Sequence, residues 1–78
     1  MTDEQIKKVA YEPIAEAWKV IRLTQNLEQE DMEGWRKYEK AQDAFCKKYP
    51  GKYGHYLGMA IMAVVDDIAK QNKEVKKV

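Results

Sequence analysis

Apolar residues recur along this chain at helical spacing in three stretches, separated by polar, proline and glycine residues. In the first stretch Ile14, Ala17, Trp18 and Ile21 form a stripe that Ala10 and Tyr11 extend backwards, with Glu12, Glu16, Lys19 and Arg22 on the other side. Thr2-Asp3-Glu4-Gln5 fits a capping box, so a helix is expected from about residue 3 to residue 26. Pro13 interrupts it, because proline lacks the N–H and crowds the carbonyl four residues back. Either the helix kinks near Val9, or it stops near Ala10 and a new one begins at Pro13.

Gln25 to Glu30 is polar and reads as a turn. Asp31 then suits the N-cap of a second helix over about residues 32–48. Its apolar face is Trp35, Tyr38, Ala41, Phe45 and Tyr49, with Gln42 and Cys46 at the centre. Tyr49-Pro50-Gly51-Lys52-Tyr53-Gly54 is the sharpest break in the chain. A third helix is expected over about residues 55–71, with Leu57, Ile61, Val64, Val65 and Ile68 on an arc of roughly 100°. Met59, Met62 and Ala63 fall outside that arc, so this helix has more apolar surface than two neighbours can cover. Residues 73–78 show no periodicity and are expected to fray, leaving one domain over 1–72. The fold class is therefore all-α: a three-helix bundle, or four helices if Pro13 ends the first.

Size sharpens the question of burial. Seventy-eight residues bury only about 60–65% of their unfolded surface, so a small chain needs a staple, a heavy core or a partner. Cys46 is the only cysteine and His55 the only histidine, which argues against a disulfide and a metal. Eight aromatic residues are available for a heavy core around which the helices would fold. Fourteen basic and 13 acidic residues give a net charge of +1, without the basic excess usual in nucleic-acid-binding domains. The longest apolar run, Tyr56 to Val65, is half of what a membrane span requires. A lone thiol and a start without signal-peptide character point to the cytoplasm.

Several positions invite a functional reading. Gly54 and Gly58 are four apart, a spacing that lets another helix approach closely; Gly58 would otherwise make room for a ring such as Trp18 or Trp35. Tyr56, Met59, Met62 and Ala63 suggest a partner-binding surface, because methionine adapts to varied contacts. Arg36, Lys37, Lys40 and Lys47 form the best basic strip for phosphate contacts, although Glu39 and Asp43 interrupt it. The chain contains no serine, so a serine triad is excluded. A Cys46–His55 pair is disfavoured, because Cys46 falls within an apolar stripe where thiols are inert. Asp66 and Asp67 diverge by about 100° on a helix and do not converge on one cation. Glu28, Glu30, Asp31 and Glu33 lack the calcium-loop pattern and serve as helix-capping charges.

Tyr38-Glu39-Lys40-Ala41 through Phe45 to Pro50 resembles the second helix of a tetratricopeptide repeat, and Trp18 with Ile21 resembles the first. The gap from Trp18 to Ala41 is about seven residues too long for that repeat, so the resemblance implies a helical hairpin and not the family. The expected function is a non-enzymatic protein–protein interaction or regulatory module acting as a homodimer, with no cofactor, metal or membrane contact. The alternatives are a nucleic-acid-binding regulator using the basic strip, and a small-ligand carrier with a pocket between the aromatic stripes.

Overall fold

A computed structural model of the chain describes residues 1–76, and every regular element in it is helical. We number three helices. The first, α1, is built of three consecutive pieces: α-helical Asp3–Ile6, a π-helical turn Lys7–Tyr11, and α-helical Glu12–Leu23. The second, α2, spans Met32–Lys48, and the third, α3, spans Lys52–Lys76.

Local chemistry accounts for the boundaries. At the start of α1 the Gln5 N–H donates to the Thr2 hydroxyl at 3.2 Å, and the Thr2 N–H donates to Gln5 Oε1 at 2.8 Å. Ahead of Pro13 the backbone stays helical but widens, and the Glu12 N–H reaches the Lys7 carbonyl, five residues back. That wider turn relieves the crowding a proline ring creates in an α-helix. At the other end Thr24 is buried and its hydroxyl donates to the Ile21 carbonyl at 2.7 Å, so α1 ends at Leu23 rather than at 26. Asp31 caps α2 by accepting from the Gly34 N–H at 3.0 Å.

The loop between α1 and α2 is more than a polar turn. Leu27 enters the core, and the Trp35 indole N–H is shared between the carbonyls of Glu28 and Gln29 at 3.1 and 3.2 Å. Asn72 donates to the carbonyls of Gln25 and Leu27 at 3.1 and 2.7 Å, and Lys73 pairs with Glu30 at 3.7 Å. These anchors explain why α3 continues past the expected end near residue 71 to Lys76. Of the expected frayed tail, residues 77 and 78 lie outside the described residues.

The core gathers Ala17, Val20, Leu27, Tyr38, Phe45, Ile61, Val65 and Ala69, with Ile21, Trp35, Ala41, Tyr49 and Leu57 packed at its edge. It is less aromatic than expected. Only Tyr38 and Phe45 are fully buried among the rings, whereas Tyr11, Trp18, Tyr53 and Tyr56 are exposed. The main correction concerns α1, which buries Pro13, Ala17 and Val20, with Thr24 just past its end, and leaves Ile14 and Trp18 outside. Small Ala17 and Thr24 let the helix backbone approach its neighbours, and that approach turns the bulkier stripe away. Cys46 is likewise exposed, and so is Val64, which the expected arc placed in the core.

The molecule measures 49 × 22 × 15 Å, and its radius of gyration is 14.1 Å. A compact domain of this length would have a radius near 11.5 Å, so the chain is drawn out. Part of the excess is the first half of α1: no residue of Asp3–Tyr11 is buried.

Candidate interaction site

One broad apolar face follows α1. Ile6, Tyr11, Ile14 and Trp18 project from it with exposures of 49, 63, 54 and 60%. Two hollows flank this row. One lies over Ala10 between Ile6, Lys7, Tyr11 and Ile14. The other is a groove where Ile14, Ala17, Trp18 and Ile21 of α1 meet Leu57, Ala60, Ile61 and Val64 of α3. Both are open to solvent, and the groove has apolar side chains on both banks. Exposed apolar side chains on this face amount to roughly 600 Å², the upper end of what a monomer's largest patch usually shows.

The residues singled out on α3, spaced three and four apart, follow one outer strip of that helix. Tyr56, Met59, Met62 and Ala63 are all exposed. Met62, however, lines a cleft against α2 with Trp35, Tyr38, Gln42 and Asp66, while Val64 two residues on faces the groove against α1. By helical spacing Met59 and Ala63 lie on the outer side between the two, and Tyr56 lies beside Ala60 at the groove. The Lys52 ammonium stands 5.9 Å from the Tyr56 ring centre and covers part of it.

Gly54 and Gly58 are buried, and both serve contacts within the chain. A side chain on Gly54 would strike the Tyr49 carbonyl, so the turn between α2 and α3 can fold tightly only over glycine. Gly58 lies against Cys46 and Gln42, where an added Cβ would sit at 3.4 and 3.5 Å, and Gln42 Nε2 donates to its carbonyl at 3.0 Å. The expected room for Trp18 or Trp35 is therefore taken by two smaller α2 side chains. The Gln42 Oε1 atom and the Tyr38 hydroxyl, both buried, make no hydrogen bond among the described residues. Burial, and then the nearby Asp66 carboxylate, push the Tyr38 phenol above its ordinary pKa.

The basic strip is mixed in sign. Arg36, Lys37 and Lys40 share one shallow hollow on α2 with Glu33, Glu39 and Asp43. Lys47 is exposed, and Lys48 is engaged with Glu16 at 3.4 Å, a carboxylate that also meets Lys19 at 3.7 Å. Glu16, and next Tyr49, raise the Lys48 pKa. Cys46 and His55 are both exposed, and the thiol's hydrogen-bond partner is the Gln42 amide at 3.9 Å. Among the described residues no three His, Cys, Asp or Glu side chains come together as a metal site, and no helix is long and apolar enough to cross a membrane.

Sequence reasoning assigned Tyr11, Ile14 and Trp18 to the core because their spacing is that of a core stripe, and it gave Ile6 no role. One signal was available: a stripe wider than a single neighbour can cover needs a second neighbour. Compared with family models, curated proteins and solved structures, the chain gives no significant match.

Proposed function

We propose that this chain is a small, non-catalytic protein–protein interaction module, one domain of three bundled helices that acts as a homodimer in the cytoplasm. The observation that carries the reading is the apolar face along α1 and the adjoining bank of α3, where Tyr11, Ile14 and Trp18 are each more than half exposed. A drawn-out chain of 78 residues has little internal surface with which to offset its folding entropy, and covering this face in a partner supplies more. Met59 and Met62, on the outer and α2 sides of α3, then remain free to meet another protein. The exposed, unpaired Cys46 thiol suits a reducing compartment.

Light scattering behind size exclusion tests the reading over a concentration series. The expected mass rises from 9.1 kDa towards twice that value as concentration approaches about 100 µM, a level at which even micromolar dissociation constants are saturated. A mass fixed at that of one chain throughout would refute it.

A further inference from the structure

Resting on that reading, we infer that the partner is a second copy of the chain whose α1 packs antiparallel on the first, about a two-fold axis at Ile14. The face is self-complementary. Trp18 is a projecting knob, and the open hollow over Ala10 is a shallow hole rimmed by Ile6, Lys7, Tyr11 and Ile14. Knob and hole are eight residues apart on one helix, about 12 Å, with Ile14 midway between them. A two-fold axis through Ile14 carries each Trp18 onto the other copy's Ala10, so both holes are filled by one symmetry operation. Ile14 then meets its own equivalent at the centre.

The charges at the ends are mixed: Arg22, in the last turn, comes opposite Ile6 of the other copy, with Asp3 and Glu4 on one side and Lys7 and Lys8 on the other. A parallel pairing would instead set like ends together, with the two helix dipoles aligned. The area is at the lower limit. The row Ile6, Tyr11, Ile14 and Trp18 exposes roughly 450–500 Å², so covering it on both copies buries roughly 1,000 Å² in total, about the least a specific interface needs. The arrangement also covers the half of α1 that no other helix of its own chain buries. Such an interface is small and depends on a central aromatic anchor, so Trp18 holds most of the affinity.

The test is cysteine cross-linking in a Cys46→Ala background, which removes the exposed native thiol. Ile14→Cys, placed on the axis, is expected to form a disulfide-linked dimer rapidly under mild oxidation, and Met59→Cys is expected not to. Both positions are exposed, and circular dichroism checks that each variant folds. In parallel, Trp18→Ala is expected to raise the dissociation constant at least 30-fold by light scattering. A dimer that links through Met59→Cys and not through Ile14→Cys would overturn the axis while leaving self-association intact. A wild-type chain that stays single at about 100 µM would overturn both.

Discussion

Truncating two large aromatic residues separates the core from the outer face, because Trp18 and Phe45 look alike in sequence and differ sharply in burial. Phe45 is 4% exposed, in contact with the Tyr49 ring at 5.1 Å between centroids, and touches the heart of the core. Phe45→Ala is expected to lose about 3–5 kcal/mol, the usual range for a buried ring. Trp18 is 60% exposed, so truncation removes at most about 100 Å² of covered surface, or about 2.5 kcal/mol. Alanine's better helix propensity returns about 0.5 kcal/mol, which brings the net loss for the single chain to about 2 kcal/mol or less. Urea denaturation at low micromolar concentration, where a weak dimer is dissociated, reads these values directly. Repeated at about 100 µM, the wild-type midpoint is expected to rise by mass action, whereas that of Trp18→Ala stays put. A low-concentration loss for Trp18→Ala equal to that of Phe45→Ala would return Trp18 to the core and refute the argument.

Two further outcomes follow from contacts described above. Gly54→Ala must move the Tyr49 backbone and is expected to destabilise by about 1–3 kcal/mol, whereas Gly58→Ala fits at ordinary contact distance and gains up to about 1 kcal/mol of helix propensity. Equal thermal midpoints for the two variants would contradict this. The second concerns alkali: Tyr38 and Lys48 both have pKa values raised by folding, so each favours the folded chain while protonated. That contribution is complete below the unfolded values of about 10 and 10.4 and is lost as pH rises through the folded ones. Stability is therefore expected to be flat from pH 7 to 9 and to fall above about pH 10. In Tyr38→Phe, which removes a buried hydroxyl without a partner, stability at pH 7 is expected to hold or rise and the alkaline fall to shrink. A steeper fall in that variant would refute the assignment.

Helical content was legible because its signals are local. The Thr2–Gln5 box, the Asp31 cap and the Pro50–Gly51 break each act within a few residues, and the structure uses all three. The choice of buried face on α1 was not legible, since two overlapping stripes compete. Hydropathy favours Ile14 and Trp18, whereas close approach favours Ala17 and Thr24, and packing against α3 decides the matter. Leu27 and Asn72 were invisible for a different reason. They meet across a sequence separation of 45, and nothing local to either residue announces the other. Tyr56, Met59, Met62 and Ala63, by contrast, are exposed along one outer strip of α3, as their spacing of three and four residues implies.

The π turn ahead of Pro13 has a geometric consequence for the outer surface. In an uninterrupted α-helix the eight residues from Ile6 to Ile14 would turn two full circles and about 80° more, setting the two isoleucines near opposite edges of one stripe. One additional residue taken up by a wide turn removes roughly 100° of that phase and leaves them within about 20° of a common line. Ile6 and Ile14 accordingly line the same hollow. The continuity of the apolar row is thus a property of backbone pitch as much as of side-chain identity. The same residues wound as a regular α-helix would follow a slanting row that drifts about 40° around the helix at each step of four residues.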